Sequence, residues 1–454
     1  MSKTSIPARS ALKGVSKGAG SPQQMRAEGL DPEAVALLNL LNLADVSRIT
    51  HANLRRKRMA WCLSAKALGR GTTMVQVEAL RIPGPAASID LRLYHPAPQT
   101  TPAPAFLWFH GGGFLMGGFD SADAICRRLA LTSGAVVITA RYRLAPENDL
   151  YAGREDCMAV LDWVTREGLA HGIDATRLAV GGDSAGGNLA AALSQRAVER
   201  GGPPLRLQAL VYPATNLRDD FPSKTENACG YLLTSDGIDA IKSLITEELP
   251  NMADPWLSPG LRPDLKGLPP ALILTAGFDP IRDDGLAYAE RLREAGVPVE
   301  LLHYAGQFHG FLNFDGVLWA ARDALERIGA ALRHALMDTP DGTAPEMSDR
   351  TLEIAARSRS ADAWPGLGAG RSLVVAGFML GERLEGWRTD ALCRMLPTDS
   401  LLAGLAASKW LNPITACRAK MTHSFTAIEV RETYDAADTT KGARQLGTEV
   451  LPGE

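Results

Sequence analysis

The spacing of apolar residues changes period along the chain. From Asp31 the segment DPEAVALLNLLNLADVSRITHANLRRKRMAWCLSAKALG has helical spacing, with Asp31 and Pro32 placed as N-cap and first turn, so two helices are predicted within residues 25–72. Near residue 74 the pattern turns to alternation. The runs TMVQVEALRIPG and SIDLRLYHPA, separated by a Gly-Pro turn, predict an antiparallel hairpin. Then PAFLWFH, GAVVITARY, RLAVGGD, LQALVYPA, PALILTAGF and VELLHYA follow as strand-length apolar runs, most of them trailed by a helical pattern. Near-continuous apolar strands alternating with helices predict an α/β fold, a largely parallel sheet covered on both faces, as one domain over residues 73–337.

Two stretches break the alternation. Residues 215–268 separate LVYPA from PALILTA by far more than the ~2–6 residues usual in α/β connections, which predicts an excursion over the carboxyl edge of the sheet. After the closing helix GVLWAARDALERIGAALRHAL, residues 338–454 open on the linker-like DTPDGTAPEMSDR and show only short apolar patches, SLVVAGFML and SLLAGLAASKWL. No strand is predicted there, and a fragment ending near residue 337 is expected to stay soluble and functional. Residues 1–24, polar and glycine-rich, read as a flexible leader.

Charge and cysteine usage narrow the partners. A net charge of −3 gives no global basic field for nucleic acid or for stable association with an anionic membrane. The run Arg55 to Arg58 is expected to be a solvated helix face. Neither a secretory apolar core near the start nor a membrane-length apolar window is seen, so a cytoplasmic location is expected. Cys62, Cys126, Cys157, Cys229, Cys393 and Cys417 stand singly, without metal-ligand or disulfide spacing, so no metal and no cofactor are expected. A homodimer is left open.

Against this background a few residues stand out chemically. Gly182-Asp183-Ser184-Ala185-Gly186 lies between the strand RLAV and the helix NLAAALSQRAVER. A sharp strand-to-helix turn needs flanking glycines, and it lifts a serine hydroxyl above the sheet at a helix N-terminus. Upstream, PAFLWF ends in His110-Gly111-Gly112-Gly113, where consecutive glycines suit a main chain whose N–H groups must approach a ligand oxygen. His110 is expected to hold that loop. A nucleophilic serine needs a histidine oriented by a carboxylate. His303 falls inside a strand and His334 in the closing helix, whereas His309 follows Gly306 beyond a strand's carboxyl end, where sites of parallel sheets lie. For the acid, Asp279 ends the strand ALILTAGF, while Asp283 and Asp284 are explained as N-cap and first-turn carboxylates.

The ordered set HGGGF, YRLAPE (Tyr142 to Glu147), GDSAGG, DPIRDD and HGF resembles the hormone-sensitive-lipase family of α/β-hydrolases, the HGGG-type carboxylesterases. The resemblance covers about residues 25–337. It implies Ser184 as nucleophile, Asp279 and His309 as triad partners, the N–H groups of Gly112, Gly113 and Ala185 as oxyanion donors, and a helical cap formed by residues 25–72 with help from the excursion. Arg141, where an acidic residue is usual, and NDLYAG after YRLAPE depart from the family pattern.

The expected activity is hydrolysis of short- to medium-chain acyl esters through an acyl-enzyme, small esters being favoured because no strongly amphipathic lid is evident. Three alternatives remain at this stage: a non-catalytic small-molecule receptor on the same fold, an amide or thioester hydrolase, and a scaffold whose business lies in residues 338–454.

Overall fold

The computed structural model describes residues 26–42, 49–70, 75–96, 102–245, 251–338, 343–357, 428–435 and 444–449. The expected leader and the two apolar patches of the C-terminal segment lie outside the described residues.

The alternating runs form the hairpin β1 (Gln76–Ile82) and β2 (Ile89–His95), paired Ile82 to Ile89 at its closed end. The apolar runs become β3 (Ala103–Phe109), β4 (Val136–Ala140), β5 (Ile173–Asp183), β6 (Leu207–Val211), β7 (Ala271–Phe278) and β8 (Val299–Phe308). Every residue of β3, β4, β6 and β7 is buried, which is why these strands read as continuous rather than alternating apolar sequence. The strand order is β1-β2-β4-β3-β5-β6-β7-β8, with β2 antiparallel to β4 and β4 through β8 mutually parallel.

Helices cover both faces. On one side α3 (Phe119–Ser133) and α9 (Trp319–Leu336) share a core with α1 (Pro32–Asn42), built on Phe106, Trp108, Leu274 and Tyr304. On the other, α4 (Leu150–Glu167), α5 (Ala185–Glu199) and α8 (Arg282–Glu294) pack on Leu107, Phe109, Val180 and Ile273. A second N-terminal helix, α2 (Leu54–Leu68), lies against α3 through Gly69 and Ala124 and stacks Trp61 edge-on to Phe314, 6.4 Å between centroids.

The sheet does not stop where the sequence pattern does. Three further strands, β9 (Arg350–Ile354), β10 (Ile428–Asp435) and β11 (Arg444–Glu449), continue it beyond β8. β9 runs parallel to β8, pairing Glu300 with Arg350 and Tyr304 with Ile354, and buries Leu352 and Ile354 in the α1/α9 core. The five-residue run RTLEI is too short to announce a strand alone; the open edge of β8 makes it one. Asp31 reinforces this edge. It begins α1 through its carbonyl, which accepts from Val35, but its carboxylate receives the backbone N–H of Arg357 at 2.6 Å, the Gln307 amide at 2.6 Å and the Trp319 indole at 3.2 Å. The described part of the C-terminal segment is thereby joined to α1, β8 and α9 by contacts that a fragment ending near residue 337 would lose.

Between β6 and β7 the excursion carries α6 (Pro222–Glu226) and α7 (Ser235–Ile245). Its return leg is held by Arg154 of α4, which is wholly buried and makes no ion pair with a carboxylate among the described residues. This guanidinium donates to the carbonyls of Trp256 (2.6 Å) and Leu150 (2.7 Å) and to Asn188 Oδ1 (2.6 Å), while Asn188 donates to Ala214 and Leu257. Burial lowers its pKa to about 10.

Candidate active site

β5 ends at Asp183 and α5 starts at Ala185, so Ser184 makes the turn alone, with φ 57° and ψ −118°. A positive φ in a serine is strained, and the backbone bond from Ser184 N–H to the Val211 carbonyl, 2.8 Å, helps hold it there. Gly186 allows the close approach of α5 to β3: a Cβ at this position would run into the Phe109 carbonyl. These two constraints explain the glycine-flanked serine motif physically.

His309 directly follows β8, which continues beyond the run VELLHYA through Gly306 to Phe308 after a register shift against β7. Its Nε2 lies 2.9 Å from Ser184 Oγ and its Nδ1 2.8 Å from Asp279 Oδ2. Asp279 is fully buried, and its other oxygen accepts the Ile281 N–H at 2.8 Å. Asp283 and Asp284 sit in the first turn of α8, whose N-cap is Ile281 rather than either aspartate. Asp283 takes the Arg282 guanidinium (2.8 Å) and Ser223 N–H (2.9 Å), and Asp284 the Asn216 N–H (3.0 Å). Burial holds the Asp284 carboxyl well above the ordinary carboxylate range. His303 is enclosed in β8 against Thr275 Oγ1, and His334 meets the Glu346 carbonyl. Of the histidines weighed, only His309 is brought to the serine.

The glycine run after β3 passes beside the same turn. Gly112 has φ +121° and Gly113 φ +62°, and their loop closes through bonds from Leu115 and Met116 to the Gly112 carbonyl. His110 stacks on Tyr142 at 4.4 Å, its Nδ1 donates to the Gly111 carbonyl at 2.9 Å, and the Tyr142 hydroxyl donates to the His110 carbonyl at 2.7 Å. Burial keeps this imidazole neutral, its pKa lowered to about 4. Asp183 Oδ1 accepts the Gly111 N–H at 2.9 Å, tying the glycine loop to the serine turn; burial raises its pKa to about 6, with Asn313 and His309 acting in the opposite direction. Ala185 opens α5, so its N–H has no partner within the helix.

Gly112, Gly113, Ser184 and Ala185 together line a cavity of about 170 Å³. Its walls are largely apolar: Trp61 from α2, Phe114, and Ile238 and Ile241 from α7. Trp61 and Asn313 belong to the site although no motif marked them. Each lies in an ordinary-looking helix or turn, and only the packing of α2 and of the segment after His309 brings it there. Arg141 stacks on Phe119 at 5.1 Å, away from the cavity, and Glu147 pairs with Arg58 of α2 at 2.7 Å. Among the described residues no cluster of histidine, cysteine or carboxylate groups could hold a metal ion, and no helix is long and apolar enough to cross a membrane.

Comparison with known proteins gives a consistent result. A family model described as alpha/beta hydrolase fold matches residues 106–313. Esterase LipI of Mycobacterium tuberculosis is 44% identical over 265 residues, covering 58% of this chain and 83% of that protein. An ethyl acetate hydrolase of Pseudomonas putida is 37% identical over 253 residues, 55% of this chain and 79% of the relative. Among solved structures, a hyperthermophilic esterase from the archaeon Pyrobaculum calidifontis superimposes with a TM-score of 0.63 at 35% identity, covering 67% of this chain and 98% of that one. With the relatives covered over most of their length at such identity, the chain belongs to the hormone-sensitive-lipase family of α/β-hydrolases.

Proposed function

We propose that this carboxylic-ester hydrolase acts through an acyl-enzyme on Ser184, with His309 as general base and Asp279 as the orienting carboxylate. The observation that carries the reading is the unbroken line from Ser184 Oγ to His309 Nε2, 2.9 Å, and from His309 Nδ1 to Asp279 Oδ2, 2.8 Å. As Ser184 Oγ attacks the ester carbonyl, its proton passes to Nε2. The Asp279 carboxylate accepts from Nδ1–H, fixes the tautomer and stabilises the imidazolium. The carbonyl oxygen, now negative, is held by the N–H groups of Gly112, Gly113 and Ala185. The imidazolium then protonates the departing alkoxide. Water, deprotonated by the same ring, cleaves the acyl-enzyme and restores the serine.

Acyl groups of short to medium length are the proposed substrates. The cavity volume of about 170 Å³ is close to that of an engineered apolar cavity that binds benzene, on the order of 150 Å³, and its walls are largely apolar. A panel of p-nitrophenyl esters of rising acyl length tests this. Activity is expected to peak at short chains and fall steeply beyond medium ones, and a preference for long-chain esters would overturn the assignment.

A further inference from the structure

The family chemistry accounts for the inward side of α2 and leaves its outward side unexplained. The helix LRRKRMAWCLSAKAL holds Arg55, Arg56, Lys57, Arg58 and Lys66 and no acidic residue, in a chain whose net charge is −3. Arg58 does not lie on a solvated face, as its place in the basic run suggests. It is drawn inward to the carbonyls of Leu115 and Ala145 and to Glu147. The outward residues are Arg55, Arg56, Met59, Ala60, Leu63 and Lys66, with basic groups at both ends and apolar ones between. Met59 and Leu63, one turn apart, are 61% and 60% exposed, and they are two of only five large hydrophobic residues exposed among the described residues. Because the apolar positions of α2 divide between an inward set (Leu54, Trp61, Ala65) and this outward pair, the helix reads from sequence as only weakly amphipathic.

The charge of this face indicates what covers it. Residues 1–25 contain Lys3, Arg9, Lys13 and Lys17 and no acid, and between residues 358 and 427 Arg and Lys outnumber Asp and Glu eight to five, so neither segment is its electrostatic complement. A short apolar stripe bounded by arginine and lysine matches the boundary between anionic headgroups and acyl chains. We propose that the outward face of α2 docks the protein reversibly on an anionic lipid surface, Arg55, Arg56 and Lys66 meeting lipid phosphates and Met59 and Leu63 entering the acyl boundary. Trp61 projects from the same helix into the Ser184 cavity, so docking sets that cavity beside esters partitioned into the bilayer. Only this last consequence rests on the ester-hydrolase reading.

Flotation of the full-length protein with phosphatidylcholine vesicles, with and without phosphatidylglycerol, tests the docking separately from the chemistry, and Ser184→Ala is expected to float like the parent. The protein should float only with phosphatidylglycerol and be released by high salt. Arg55→Glu with Arg56→Glu, and separately Met59→Asp with Leu63→Asp, should weaken vesicle binding at least roughly tenfold. Both should hydrolyse dissolved p-nitrophenyl acetate within about twofold of the parent, since neither pair is counted in the catalytic or binding machinery. Equal flotation with both lipids, unchanged flotation of both variants, or release by inorganic phosphate at an ionic strength where chloride does not release the protein would overturn the proposal. So would loss of a dimer in the variants without loss of vesicle binding, because the face would then serve a second copy of the chain.

Discussion

Replacing Leu352 and Ile354 of β9 by alanine tests whether the C-terminal segment is part of the folded sheet. Both side chains are almost wholly buried, 4% and 1% exposed, in the core shared with α1 and α9. Core leucine and isoleucine truncations cost about 2–5 kcal/mol each; at a sheet edge, where neighbours can settle into the space, the low end applies and the pair should cost about 4 kcal/mol. Against a typical total of ~5–15 kcal/mol that is a large fraction of the fold's stability. With a urea dependence of about 3 kcal/mol/M, as for larger domains, the unfolding midpoint should fall by more than about 1 M. Turnover of a short ester at low temperature should meanwhile stay within a few-fold, because neither side chain lines the cavity. Equilibrium unfolding followed by fluorescence, with the ester assay in parallel, measures both. A combined loss below about 0.5 kcal/mol, the scale of a surface substitution, would refute the pairing of β9 with β8 as a stabilising element. It would restore the expectation of a self-sufficient fragment ending at residue 337.

Two further outcomes are expected. Asp279→Asn should lower kcat by about 10⁴ through the wrong tautomer of His309, whereas Asp283→Asn should cost far less, since Asp283 bonds Arg282 and Ser223 rather than the imidazole; a reversed order in steady-state kinetics would move the acid. Since burial holds the His110 pKa at about 4, the unfolded chain takes up that proton first as the pH falls. Stability from this group, present above about pH 6.5, is lost on acidification, about 3 kcal/mol by pH 4. Denaturation across this range should therefore show a shallower acid loss in His110→Asn than in the parent, and parallel curves would contradict the buried neutral ring.

The reasons some features were legible in sequence and others were not are physical. The parallel strands declared themselves because burial on both faces demands unbroken apolar runs, as in APAFLWF and ALILTAGF. Ser184 and the glycines of its turn were legible because few residue types tolerate that backbone. His309 and Asp279 followed from their places at strand ends, although β8 runs right up to His309 where a loop was expected. What escaped depends on tertiary contact alone. Asp31 fits an N-cap by position, yet its carboxylate is claimed by Arg357, Gln307 and Trp319. RTLEI becomes a strand only beside β8, and Arg154 carries no motif although it pins the excursion from within α4. Such roles are set by partners hundreds of residues away, which local periodicity does not encode.

The most direct test of the central claim is the mass of the intact protein after one equivalent of a p-nitrophenyl phosphonate, followed by peptide mapping. A single adduct on Ser184, formed in step with the loss of ester turnover and with release of p-nitrophenolate, is expected. Ser184→Ala should acquire no adduct and lose on the order of 10⁶ in kcat. An adduct on another residue, or turnover by Ser184→Ala above a tenth of the parent's, would contradict the assignment of Ser184 as the nucleophile.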